Sequence, residues 1–363
     1  MIVFCHLLND RSGSPTVLRN TLDALNAQRD GRLYVGSQGR GLLDDTDVPT
    51  RRYWYRRSRH RIVTLFTYFA SQAMLYHALS RARDIPRDST VFVNTLLPFA
   101  AMLWGKRTGR RVVVHVHEVS ITPAPLRRFL TSCAARSADL LLYVSNDHRA
   151  RLPIDGPRSV VVPNPVSPAL LAHAETHRPK RDGQFRLLML ASPRGYKGIQ
   201  EFFALAKALE DRGDIWLNLV LNAESDAVMT FVGRHNDAAN VTIYPCTDDP
   251  ATFYTQTDLV LNLSRVDQWV ETFGLTLVEA MSFGIPVIAP PVGGPAEIVT
   301  HGTDGYCIDS RDSNSLREAV LKLADDRETY DAMAGAARRR AQDFSFEAYA
   351  AALHEALNTL GEK

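Results

Sequence analysis

Two carboxylates, Glu271 and Glu279, stand in the stretch "ETFGLTLVEAMSFGIPVIAPPVGG", which is otherwise almost wholly apolar. Charge in such a setting is costly unless it is paired, hydrogen-bonded or used on a ligand. Paired carboxylates accept well from vicinal hydroxyls, so the spacing suits a polyol gripped at two places along its length. Each residue alone has a structural explanation, Glu271 as a helix cap and Glu279 as an ion-pair partner. Gly274 allows close backbone approach between them, and the N–H groups of Phe273, Gly274 and Leu275 at an expected helix start suit an anion or a hydroxyl. Two further loops carry related chemistry. "ASPRGYKGIQ" holds Arg194 and Lys197, cations able to neutralise a diphosphate, with solvated surface charges as the alternative. "PPVGGPAEIV" places Gly293 and Gly294 before a second helix start, where main-chain N–H groups approach phosphate oxygens. Cations, backbone donors and hydroxyl-binding carboxylates together outline a nucleotide diphosphate sugar.

These loops need a frame that presents them side by side. Short apolar runs alternate with helical patterns through both halves of the chain, from "MIVFCHLL" to "DLLLYVS" and again from "FRLLMLAS" to "PVIAPP". That order is the grammar of parallel sheets covered on both faces. The reading is an α/β protein with two Rossmann-like, doubly wound domains facing a cleft, 1–165 and 166–345, and a C-terminal helix over 346–363 packing back on the first domain. The stretch "VVPNPVSPALLAHAETHRPKRDGQ", with prolines at 163, 165, 168 and 179, is expected to break regular structure and act as the linker. In open parallel sheets ligands collect beyond the carboxyl ends of the strands, where all three loops fall.

Composition narrows the class. The chain has 363 residues, 45% hydrophobic and 23% charged, the mix of a folded protein of two ordinary domains. Cys5, Cys133, Cys246 and Cys307 lie far apart with no C-x-x-C pair, so neither a disulfide framework nor a zinc site is suggested. The opening "MIVFCHLLND" reads as a first strand, not as a signal peptide, and a cytoplasmic protein is expected. Net charge is +2, yet residues 1–165 hold 24 Lys and Arg against 12 Asp and Glu, whereas the remainder holds 18 against 28. The first half is expected to meet something anionic.

The segment "ETFGLTLVEAMSFGIPVIAPPVGGPAEIV" resembles the E-x7-E signature of retaining glycosyltransferases of family 4, which have the GT-B fold. "KGIQEFFALAKAL", "LYVSNDHRARL", "VVPNPV" and "HGTDGYCID" support the resemblance. It implies that Glu271 binds hydroxyls of the donor sugar, that Glu279 holds the ribose, and that Arg194 and Lys197 bind the diphosphate. Only "GY" separates that arginine and lysine, where the family more often has four or five residues. The turn at Cys246 and Thr247 is similar in place to the part that reads the base through its backbone. In "VVVHVHEVS", His117 resembles the family histidine that reaches the donor sugar, a satisfied core histidine being the alternative; His115 lies on the same strand face, and the choice between them stays open. In "RSGSPTVLR", Gly13 and Ser14 resemble a glycine loop that approaches phosphates or acceptor.

No D-x-D follows a strand end; the "DTD" at 45–47 falls in a polar loop, so no metal and no cofactor beyond the nucleotide sugar is expected. Retaining chemistry would let the departing phosphate oxygen accept the proton, with no obligatory side-chain base. "RRYWYRRSRHR" packs six arginines around three aromatics before an apolar helix near 62–79, itself read as a soluble helix. Arg51, Arg52, Trp54, Arg56 and Arg57 are expected to meet an anionic membrane, a reading preferred to a solvated loop or to nucleic acid. The expectation is a hexosyl transfer to a glycan acceptor, polyprenyl-diphosphate-linked, in surface polysaccharide assembly at the inner face of the cytoplasmic membrane. The alternatives are a glycoside hydrolase using Glu271 and Glu279, a non-catalytic nucleotide-sugar sensor or scaffold, and a nucleotide-sugar epimerase.

Overall fold

The computed structural model describes residues 1–10, 12–39, 41–176, 182–235, 238–247 and 249–360. The chain divides into two compact units, one of 1–164 together with Tyr349 to the end of the described residues, the other of 165–348. The first holds seven strands: β1 (Ile2–His6), β2 (Gly31–Gly36), β3 (Thr50–Tyr53), β4 (Thr90–Asn94), β5 (Arg111–His115), β6 (Leu140–Tyr143) and β7 (Arg158–Val161). The second holds six: β8 (Phe185–Ala191), β9 (Ile215–Leu221), β10 (Val241–Tyr244), β11 (Leu259–Leu261), β12 (Val287–Ala289) and β13 (Gly305–Cys307).

Both sheets are parallel throughout and share one winding. Their orders are β3-β2-β1-β4-β5-β6-β7 and β10-β9-β8-β11-β12-β13, so the winding reverses between β1 and β4 in one unit and between β8 and β11 in the other. Strands such as Val112–Val114, Leu140–Leu142 and Leu259–Leu261 are apolar without alternation because helices cover both faces. The two reversal points are where loops diverge and leave a crevice for ligand.

The terminal helix Phe346–Asn358 belongs from Tyr349 onward to the first unit. Tyr349 Oη lies 2.7 Å from Thr21 Oγ1, and the His354 ring is 3.1 Å from the Ala24 carbonyl. Residues 361–363 of that expected helix lie outside the described residues.

The linker expectation needs correction. Strand β7 pairs with β6 just before it, and a helix, Pro168–Thr176, forms inside it. Proline opens a helix readily, since its missing N–H would have had no partner in the first turn. Ser167 Oγ caps the start by accepting from the Leu170 N–H at 3.3 Å. Residues 177–181, including Pro179, lie outside the described residues.

Candidate functional site

In the second unit, the loops leaving β8 and β11 are joined at Gly198. This residue has φ +81°, and a Cβ there would stand 2.0 Å from the Leu263 carbonyl oxygen, so only glycine lets the β8 loop lie on the β11 loop. The Arg265 N–H donates to the Tyr196 carbonyl at 2.9 Å, and the Tyr196 and Trp269 rings stack with centroids 5.0 Å apart. The Arg265 guanidinium then ties Glu201 and Asp267, each at 2.9 Å.

This seam carries Lys197 to Glu271. Lys197 Nζ pairs with Glu271 Oε1, and the same oxygen accepts from Ser264 Oγ at 2.8 Å. The ammonium also lies 5.6 Å from the Trp269 ring centroid, within reach of a cation–π attraction. Both partners are largely withdrawn from solvent. Their pairing is what makes a carboxylate tolerable there. Neither Ser264 nor Trp269 was singled out from sequence.

Glu279 sits one turn into the helix Leu275–Ser282, which opens at Gly274 with φ +111°. Tyr254 Oη donates to Glu279 Oε2 at 2.7 Å. Burial pushes the Glu279 carboxyl up to about 7, while the tyrosine's hydrogen bond works in the opposite direction. The acid thus changes charge near neutrality. The Phe273 side chain is buried against Phe344, with ring centroids 5.7 Å apart, and anchors the loop. Leu275 begins the helix.

The glycine pair of the β12 loop packs against the backbone that carries Glu271. The Gly294 N–H donates to the Glu271 carbonyl at 3.0 Å. A Cβ on Gly293 would come within 2.5 Å of that carbonyl oxygen, and one on Gly294 within 2.2 Å of the Thr272 carbonyl. These glycines fix the backbone that carries Glu271. Arg194 is exposed and makes no ion pair among the described residues. Cys246 and Thr247 follow β10; the Cys246 N–H already donates to the Ala223 carbonyl at 3.1 Å, and Thr247 Oγ1 accepts from the Asp249 N–H at 3.0 Å.

The first unit builds a second polar cluster at its own reversal point. Asn94, at the end of β4, donates through Nδ2 to the Ser14 carbonyl at 3.0 Å, which turns its Oδ1 toward His117 Nε2 at 3.0 Å. An amide oxygen only accepts, so Nε2 carries the proton and Nδ1 is left as the acceptor. His115 is fully buried, its ring centroid 4.2 Å from that of His117, and burial lowers it to about 3. Burial, with His115, His148 and His6 nearby, also holds His117 well below the usual imidazole range. Of the two histidines left open by the sequence, His117 is the partly exposed one.

Glu118 went unnoticed in the sequence, although a charge ending the apolar run "VVVHVHE" was a signal. Its carboxylate accepts from the Leu96 N–H at 2.9 and 3.1 Å and from the His117 N–H at 3.2 Å. These bonds hold the turn in which Thr95 adopts φ +73°, a strained value for a β-branched residue. Gly13 begins the helix Gly13–Ala24, and a Cβ there would meet nothing within 4 Å, so the approach over Gly13 and Ser14 is open.

Of the arginine cluster, Arg51 and Arg52 lie on edge strand β3, where Arg52 pairs with Asp44 and Arg51 comes within 3.8 Å of Asp84. Trp54 is 41% exposed. Arg56 and Arg57 are exposed and make no ion pair among the described residues.

Residues 174–340 match the model of glycosyl transferases group 1. That match falls within the second unit and covers just under half of the chain, so it is this unit that is similar to the group 1 glycosyl transferases. D-inositol 3-phosphate glycosyltransferase of Rhodococcus jostii (strain RHA1) is 30% identical over 59% of this chain and 44% of its own length. N-acetyl-alpha-D-glucosaminyl L-malate synthase of Bacillus anthracis is 32% identical over 34% of this chain and 28% of its own. The matches therefore span less than half of these curated relatives. HepE of Anabaena, solved in complex with UDP-glucose, superposes with a TM-score of 0.77 at 19% identity, over 99% of each chain, which shows the GT-B fold. The expected GT-B fold thus holds, and the resemblance to family 4 glycosyltransferases is supported by the match over 174–340.

Proposed function

We propose that the protein transfers a hexosyl-type sugar from a nucleotide diphosphate sugar to a glycan acceptor with retention of configuration. The carrying observation is the Lys197–Glu271–Ser264 cluster at the reversal point between β8 and β11, one loop away from the Tyr254–Glu279 pair. An incoming diphosphate competes with Glu271 for Lys197. As the ammonium turns to the phosphate oxygens, Glu271 is released to accept from sugar hydroxyls, so donor binding arms the acid that orients it. Glu279, once ionised, accepts from the ribose hydroxyls. The helix start at Gly274 adds its positive end. Lys197 and this helix start offset charge on the departing diphosphate without a metal ion, and the leaving phosphate oxygen takes the acceptor's proton. His117, protonated at Nε2, offers Nδ1 to a hydroxyl. The complex of Anabaena HepE with UDP-glucose supports the donor class.

The acceptor we favour is polyprenyl-diphosphate-linked, in surface polysaccharide assembly at the inner face of the cytoplasmic membrane. The excess of 24 basic over 12 acidic residues in 1–165 supports an anionic surface as partner. The first test is a thermal-shift screen of nucleotide sugars on the wild type and on Glu279→Ala. A donor at about 100 times its dissociation constant stabilises by roughly 2.7 kcal/mol. The wild type is expected to respond and the variant to lose most of the response; no shift with any nucleotide sugar ends the proposal.

A further inference from the structure

The helix Arg61–Arg81 carries large apolar residues on both of its faces. Its inward face carries Tyr68, Ser71, Gln72, Leu75 and Leu79, and the polar members are paired: Tyr68 Oη donates to the Leu97 carbonyl at 2.6 Å, and Gln72 Oε1 accepts from the Ala100 N–H at 3.3 Å. Its outward face is apolar as well through the first half of the helix. Ile62, Phe66, Phe69 and Ala73 recur at helical spacing as one exposed stripe, with Ile62 85% and Phe66 74% open, and Val63 and Met74 flank it. The stripe runs into an open groove of about 530 Å³ lined by Phe69, Tyr76, Phe99 and Leu103. An outward face of this kind needs a partner.

Charge identifies the partner. No Asp or Glu occurs between Asp47 and Asp84. Arg56, Arg57, Arg59 and Arg61 cluster at the helix start and form no ion pair among the described residues. The first turn also contains no acidic residue. Cations at the positive end of a helix are unfavourably placed unless an external anion meets them. A second copy of this chain would bring like charges together. A bilayer offers anionic headgroups and hydrocarbon at adjacent depths, matching guanidinium groups and an apolar stripe on one helix. No helix among the described residues is long and apolar enough to cross a membrane.

We propose that the helix Arg61–Arg81 lies in the interface of an anionic bilayer, with Ile62, Phe66 and Phe69 inserted below headgroups held by Arg56, Arg57, Arg59 and Arg61. This rests on the reading of the arginine-rich face as membrane-facing and extends it from contact to insertion by a helix that the sequence presented as soluble. The probe is vesicles of phosphatidylglycerol and phosphatidylcholine, with pure phosphatidylcholine alongside. Co-sedimentation with the anionic vesicles is expected, and Ile62→Ser with Phe66→Ser weakens it about tenfold or more with an unchanged melting temperature, both side chains being solvent-exposed. Insertion is read separately: in a Trp54→Phe background, the fluorescence that Phe66→Trp adds over its parent, which keeps Trp104, Trp216 and Trp269, shifts to the blue and is quenched by brominated lipid chains. Binding without quenching leaves the electrostatic reading standing and overturns insertion. No binding to anionic vesicles overturns both. A lipid-free dimer that shields the introduced indole assigns the stripe to a second copy and overturns the proposal as well.

Discussion

The two sheets reverse their winding in the same way, yet the crevices at those points are chemically unlike. Between β8 and β11, acids meet donors that can let go: Glu271 with Lys197 and Ser264, Glu279 with Tyr254. Between β1 and β4, the polar groups are neutral imidazoles and an amide, and Glu118 is spent on backbone N–H groups. Coulombic partners that separate easily suit an ionic ligand which replaces one of them. Neutral imidazoles, with the His117 proton fixed on Nε2 by Asn94, suit uncharged hydroxyls and keep their charge state across the physiological pH range. One winding therefore supports a charge-exchanging crevice in one unit and a charge-silent crevice in the other.

The sharpest way to break this contrast is Lys197→Met, which leaves Glu271 with Ser264 alone and nothing to answer the diphosphate. Release of nucleoside diphosphate should fall about a hundredfold to a thousandfold; a loss below tenfold would mean that the pair is only structural. Gly198→Ala comes next. Its Cβ would collide with Leu263 in a left-handed conformation, at a cost of about 2–3 kcal/mol, seen as earlier denaturant unfolding of the second unit and loss of nucleotide binding. Glu279 supplies a pH test. The ionised form, dominant above about 7, accepts from ribose, so nucleotide affinity rises about tenfold from pH 6 to pH 8. Calorimetry across that range should show the rise, and Tyr254→Phe should move its midpoint upward because a donor favouring the carboxylate is gone. A flat profile would refute the role.

The first unit should not answer to pH until it is made to. Asn94→Asp places a carboxylate beside His117, amid His6, His115, His148 and Glu118, and raises its pKa toward the working range. Turnover at pH 5.5 relative to 7.5 should drop about fivefold more in this variant than in the wild type, through protonation of Nδ1 on top of the change that Glu279 brings to both. Smallest of all is Gly13→Ala, with open space around the new methyl; its stability should change by no more than about 0.5 kcal/mol.

Much of this was legible in the sequence, for identifiable reasons. Long apolar runs bounded by turn residues marked β1, β5 and β6, because burial on both faces leaves no alternation to misread, and β8 and β9 by runs that are buried at their centre or end. β3 was hidden in "RRYWYRR", since an edge strand needs no apolar face and charge protects its open side. β7 and β13 were too short, or too near proline and glycine, to stand out. At the site, Glu271, Glu279 and Lys197 were visible as charges in apolar or loop settings. Their partners were not: Ser264 and Tyr254 are ordinary residue types whose importance comes from where the chain returns. Asn94 is silent for the same reason, as its amide links Ser14 to His117 across distant segments. The prolines of the linker were read as breakers when Pro168 in fact starts a helix.

The contact between Gly198 and Leu263 constrains how such a protein can be re-engineered. Because one loop rests on the other's main chain without room for a methyl group, neither can be lengthened, shortened or transplanted by itself. A chimera meant to accept a different sugar must exchange both segments as a matched cassette, and libraries that randomise only one of them will consist chiefly of misfolded clones.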